Sequence, residues 1–121
     1  MLRLPVFYFI ICLLSVHTAS GQQDTLRCRE LFEKIESEAD DKIWPRYNEE
    51  LRAIAEKHIA QEKDSLLLRV YKKYLGAALN NEAVQIQNKG NSRDAQVLYE
   101  KALNLRRESG DEKGIAETMN N

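Results

Sequence analysis

Apolar residues recur along most of this chain at steps of three and four, the spacing that places them on one face of a helix. Leu31, Phe32, Ile35 and Ala39 share a stripe, which predicts a first helix over about 25–40 with Asp24 as its N-cap. Asp40 to Pro45 breaks the pattern. The residue before a proline avoids helical geometry, and proline itself suits a first turn, so a second helix is expected over about 45–61. Tyr47, Leu51, Ile54, Ala55 and Ile59 form its apolar face. Asp64 is placed to cap a long third helix over about 65–88, striped by Leu67, Val70, Tyr71, Tyr74, Leu75, Ala78, Leu79, Ala83 and Ile86. Gly90 can take the left-handed conformation of a helix stop. Asn91 then caps a fourth helix over about 92–108, with Asp94 set to reach back and Ala95, Leu98, Tyr99, Ala102 and Leu103 facing inward. Ser109-Gly110-Asp111 turns the chain into a fifth helix that begins near Glu112. Short turns between helices imply antiparallel neighbours and an all-α array, each member too marginal to stand alone in water.

The amino-terminal segment has a different character. Arg3, an apolar run from Leu4 to Leu14 and the small residues Ala19-Ser20-Gly21 have the order of an export signal ending at residue 21. The run is shorter than the roughly 20 residues that span a bilayer. A buried helix and an uncleaved anchor are the alternatives. Removing residues 1–21, and Arg3 with them, leaves 100 residues with 17 basic against 19 acidic side chains. That is one small domain with interspersed charge and no basic block to meet a phosphate backbone. Exported, in a periplasm or outside the cell, it would keep one cysteine, Cys28, and so no internal disulfide.

A repeat organises the carboxy-terminal half. Residues 75–81 (Leu-Gly-Ala-Ala-Leu-Asn-Asn) return 40 positions later as 115–121 (Ile-Ala-Glu-Thr-Met-Asn-Asn). A fixed period in this range marks stacked helical repeats. Between the copies, Leu79, Asn81, Ala83 and Ile86 lie on one helix, Gly90 at the turn, and Ala95, Tyr99 and Ala102 on the next.

In that order and spacing, residues 77–105 resemble a tetratricopeptide repeat. The period exceeds the commonest form of about 34 residues and resembles the subclass with a longer loop, whose motif reads Leu-Asn-Asn and then a small residue. Three positions depart from the pattern: Glu82 stands at an aliphatic site, Ser92 at an aromatic one, and no proline ends the second helix. The resemblance implies antiparallel helix pairs winding into a right-handed superhelix. Residues 22–64 would be a degenerate capping pair, and 65–121 one repeat and the start of another. The chain would be the amino-terminal part of a longer protein.

Residues with chemistry to offer are few. One histidine (His58) and one cysteine after residue 21 cannot build a His/Cys-rich metal site. Asp40-Asp41 reads as a solvated helix end, and Gly110 to Gly114 follows no strand that would make it a phosphate loop. Tyr71, Tyr74 and Tyr99 stand at core spacing, so no base-stacking platform is expected, nor any cofactor. The expected function is protein or peptide binding, without nucleic acid. Membrane contact would come only through an uncleaved signal or a span after residue 121. By the resemblance, Ala77, Asn80, Val84, Gln87 and Asn88 would line a concave groove. Such arrays often precede a signalling output domain. Two other readings stay open: a thiol-dependent enzyme built on Cys28, and a structural cap that binds nothing.

Overall fold

A computed structural model describes residues 6–121, with side chains from residue 21 onward. The expected export signal, residues 1–21, lies outside the described residues except for the backbone from Val6 and for Gly21. Five helices follow in order: α1 (Val6–Ser37), α2 (Trp44–Gln61), α3 (Ser65–Asn88), α4 (Ser92–Ser109) and α5 (Glu112–Asn120). No strand occurs among the described residues.

Two of the predicted caps, Asp64 and Asn91, form at helix starts, and Asp111, expected only as a turn residue, caps α5 in the same way. Asp64 accepts from the N–H groups of Leu66 and Leu67, Asn91 from Asp94, and Asp111 from Gly114. Asp94 reaches back as expected, but to the Asn91 side-chain amide rather than its backbone. Gly90 and Gly110 take positive φ of 89° and 72° at the ends of α3 and α4, where a side chain would be strained. Pro45 sits in the first turn of α2.

The first helix differs from expectation. It does not start at Asp24 but runs from Val6 through Gly21 to Ser37, and it stops before Ala39, which is exposed. A single glycine costs a helix interior only about 1 kcal/mol, too little to end it here. Asp24 is a mid-helix residue, and its carboxylate serves another helix.

Each helix packs antiparallel on the next. Lys34 lies over the Tyr47 ring while Asp24 meets His58, so α1 and α2 run in opposite directions. Lys72 pairs with Glu108 and Tyr99 with Gln87, which sets α3 against α4 in the same way. Alternate helices are then parallel. Thr25 of α1 meets Tyr71 of α3, 46 residues on, and Asn80 of α3 meets Asn121 just after α5, 41 residues on. The two Asn-Asn sequences that echo one another thus touch.

Cys28, Leu31, Leu51, Ala55, Tyr71, Leu75, Ala78, Leu79 and Ala102 form the core, at the junction of α1, α2, α3 and α4. Small residues let α3 and α4 approach: a Cβ on Gly76 would stand 3.3 Å from the Ala102 carbonyl and 2.8 Å from Arg106 Cγ. Two side-chain amides, buried Asn48 and half-buried Asn81, link α2 to α3. Asn48 donates to the Ala78 carbonyl at 2.9 Å, and Asn81 donates to Asn48 at 3.1 Å. Glu82, at a position where an aliphatic residue was expected, pairs with Arg52 of α2, which also holds Glu56. The ion pair gives a half-buried carboxylate a partner and explains how the helix tolerates it.

Candidate functional site

The odd-numbered helices enclose a groove of about 120 Å³. Phe32 and Glu36 of α1 form one wall, Lys73 and Tyr74 of α3 the middle, and Lys113, Gly114 and Glu117 of α5 the other wall. Ala77, 4% exposed, is its floor. Phe32 and Tyr74 meet at 6.0 Å between ring centres, tilted by 59°. Helical spacing explains the set: Lys73 and Ala77 are four apart on α3, as are Lys113 and Glu117 on α5. Asp111 also borders the groove, its carboxylate held by the Gly114 N–H at 3.1 Å.

Arg106 supports this groove from below and was not foreseen. Its side chain is 2% exposed and passes between two glycines, Gly76 of α3 and Gly114 of α5. Nη1 donates to the Gly114 carbonyl, to Thr118 Oγ1 at 3.0 Å and to Glu117 Oε2 at 2.9 Å. One guanidinium nitrogen thus joins α4 to α5, its two N–H groups shared among three acceptors, while the buried Nε has no hydrogen-bond partner among the described residues. The available signal was the pair of glycines at helical positions that favour other residues, each marking a close approach.

The five expected groove residues do not act together. Ala77 lies in the groove. Asn80 does not line open surface: it is 1% exposed, and its Oδ1 accepts from Asn121 at 3.1 Å. Val84 is half-buried one turn further on, and Gln87 and Asn88 are exposed near the end of α3. The Gln87 side-chain oxygen accepts from the Tyr99 hydroxyl at 2.6 Å. The expected set followed one face of α3, whereas the groove forms only where α1 and α5 flank it. Among the packing residues, Leu79, Ala83, Ala95 and Ala102 are buried, and Ile86 and Tyr99 are half-buried. Asn81 bonds to α2 and Gly90 turns the chain.

Cys28 and His58 do not form a nucleophile pair. His58 Nε2 bonds to Asp24 Oδ2 at 2.6 Å, and its ring stacks on Tyr71 at 4.3 Å, with 6° between planes. Cys28 is wholly buried. Burial, reinforced by the carboxylates of Asp24 and Glu50, pushes its thiol up to about 12 from 9.0. A thiolate is the nucleophile, and almost none exists here at neutral pH.

The same shift has a consequence for stability. The folded state holds this proton more tightly than the open chain. The contribution is therefore complete below pH 9 and is lost as pH rises towards about 12, at about 1.4 kcal/mol per pH unit. Buried Tyr71 and half-buried Tyr74, also raised by desolvation, act in the same direction. Denaturant midpoints should fall steeply above pH 9, and Cys28→Ala should flatten that slope. An equal slope in the variant would show that Cys28 ionises freely in the fold.

A second depression of about 350 Å³ lies between α2 and α4 over Leu75 and Leu79. The guanidinium at its rim, Arg52, is already engaged by Glu56 and Glu82. Among the described residues no cluster of His, Cys, Asp and Glu could hold a metal ion, and no helix is long and apolar enough to cross a membrane. Fold and site together define an all-α protein of five packed helices with a small mixed-charge groove on its odd-numbered helices. Compared with models of known protein families, with curated proteins and with solved structures, the chain matches none.

Proposed function

We propose that this protein is an exported protein-interaction module of the tetratricopeptide type, and that the groove of α1, α3 and α5 receives a peptide segment of its partner. It would serve as the amino-terminal, extracytoplasmic part of a larger signalling or scaffold protein. The observation that carries this reading is the groove itself. Three helices in parallel present aromatic, apolar and charged side chains to one small concavity, the kind of surface that seats a side chain of another chain.

Two further placements support it. Contacts from α1 to α3 and from α3 to α5 fall at sequence separations of 46 and 41, as neighbouring repeats would place them. The small residues Ala83, Ala95 and Ala102 are buried where helix pairs of such repeats meet. The raised Cys28 thiol speaks against the thiol-enzyme alternative.

Chemical-shift mapping of the ¹⁵N-labelled 121-residue chain against mixed peptide pools tests the proposal. Shifts are expected at Lys73, Ala77 and Gly114. Shifts confined to Cys28 and His58 would sink it in favour of a thiol site. No shift at any residue would leave a structural cap.

A further inference from the structure

We propose that the Gly21–Gln22 peptide bond is a processing site that the folded bundle keeps shut. A peptidase selective for small residues hydrolyses it only after Tyr71 releases the Gly21 carbonyl. This rests on the exported reading above and adds the control of its leader.

The sequence supplies the recognition. Ala19 and Gly21 stand third and first before the bond, the small residues such an enzyme reads. Access is open: a Cβ on Gly21 would meet nothing within 4 Å, and Gln22 and Gln23 are exposed. What closes the site is conformation. The α1 backbone is helical without a break across the junction. A helix rises about 1.5 Å per residue, against about 3.3 Å in the extended form that a peptidase cleft takes.

The carbonyl itself is also taken. Hydrolysis places the oxygen of the scissile carbonyl among the enzyme's own donors, where negative charge develops on it. Here that oxygen accepts from Thr25 Oγ1 at 2.8 Å and from the Tyr71 hydroxyl at 3.2 Å, and the two hydroxyls lie 3.2 Å apart. Thr25 moves with α1. Tyr71 belongs to α3 and is wholly buried, its ring stacked on His58 of α2. Unwinding the junction therefore breaks a bond to the folded core. The reaction itself needs only water: the Gly21–Gln22 C–N bond breaks, the hydroxyl joins the Gly21 carbonyl carbon and the proton goes to the Gln22 amine. An unfolded chain is open to this and a folded one is not, so processing precedes folding.

Pancreatic elastase, whose pocket takes small residues, probes the gate. Cleavage after Ala19, Ser20 and Gly21 is followed by mass on the 121-residue chain and on a peptide of residues 15–27, too short to hold a helix alone. The peptide should be cut at least about a hundredfold faster. Tyr71→Phe should speed cleavage of the chain about fivefold, the effect of one hydrogen bond. Tyr74→Phe, outside the clasp, should leave the rate unchanged. Equal rates for chain and peptide, or no change in Tyr71→Phe, overturn the gate. So does a parallel rise in cleavage within α3, α4 and α5, which would mark general loosening. A purified signal peptidase tests the reading beneath, on a peptide of residues 1–30. Cleavage after Gly21 supports the leader, and then only the elastase result judges the gate. An uncut peptide overturns the leader and the processing site together, whatever elastase shows.

Discussion

Arg106→Ala releases α5 while the rest of the bundle stays folded. The expected cost is about 3 kcal/mol, the range for removing a large buried side chain together with its hydrogen bonds. Glu117 is 54% exposed on its side chain and returns to water when Arg106 is lost, so the cost stays below that of a stranded buried charge. The Gly114 carbonyl also keeps one donor, the Thr118 hydroxyl at 3.1 Å. What α5 loses is its link to α4. A helix of nine residues cannot persist alone in water, so the loss falls on local rather than global stability. Amide exchange over Glu112–Asn120 should speed by about a hundredfold, since each 1.4 kcal/mol is a factor of ten, while α2 and α3 keep their protection. Unchanged exchange in α5 would show that Arg106 is dispensable. Arg106→Met should cost less, because it retains an apolar stem between the glycines.

Gly76 supplies an internal control. In the wild-type chain Gly76→Ala pushes its new methyl against Arg106 Cγ at 2.8 Å and should destabilise. With Arg106 already alanine, that obstacle is gone. The helix-propensity gain of alanine over glycine, about 1 kcal/mol, then opposes only the 3.3 Å approach to the Ala102 carbonyl. The substitution should thus cost clearly less in the Arg106→Ala background, and a double-mutant cycle reads the difference directly. Additive effects would place Arg106 elsewhere than between the two glycines.

Helices were legible in this sequence where a stripe was bounded by a cap, a proline or a glycine turn, except at the start of α1. The bounds expected for α3 match those found, since Asp64 and Gly90 mark both ends and the stripe between them is unbroken. The start of α1 was misread because Asp24 followed by an apolar-striped segment has the local form of an N-cap. What it lacks is visible only in three dimensions: His58, 34 residues away, claims the carboxylate. The groove was harder still. Periodicity assigns faces to a helix but not the neighbours that cover them, so Asn80 was indistinguishable from Ala77 until α5 was placed. Arg106 was hidden for a related reason. Arginine near a helix end ordinarily favours the dipole and stays in water. Nothing within α4 shows that two glycines on other helices make room for it.

Tyr71→Ala should have an effect as large at the other end of the bundle. Tyr71 is wholly buried, and one ring joins three helices. Its face stacks on His58 of α2, and its hydroxyl lies 3.2 Å from both the Gly21 carbonyl and Thr25 Oγ1 of α1. Truncating a buried aromatic residue costs about 3–5 kcal/mol. Tyr71→Phe keeps the stack and most of the volume, and loses about 1 kcal/mol with the hydroxyl. The damage should appear first in how α1 is held. Thr25 shares the Tyr71 hydroxyl, and Cys28, one turn along α1, lies in the same core cluster. The Cys28 thiol therefore reports on the clasp. In the native chain it should react slowly with a disulfide reagent at pH 8, being buried and protonated. Tyr71→Ala should speed that reaction by about a hundredfold, in proportion to the population of the open form. Tyr71→Phe should speed it less than tenfold. If the alanine variant melts lower yet leaves Cys28 as slow as before, Tyr71 supports the core without clasping α1, and the hold on that helix must rest on the Asp24–His58 pair and the Arg27–Glu50 bridge instead.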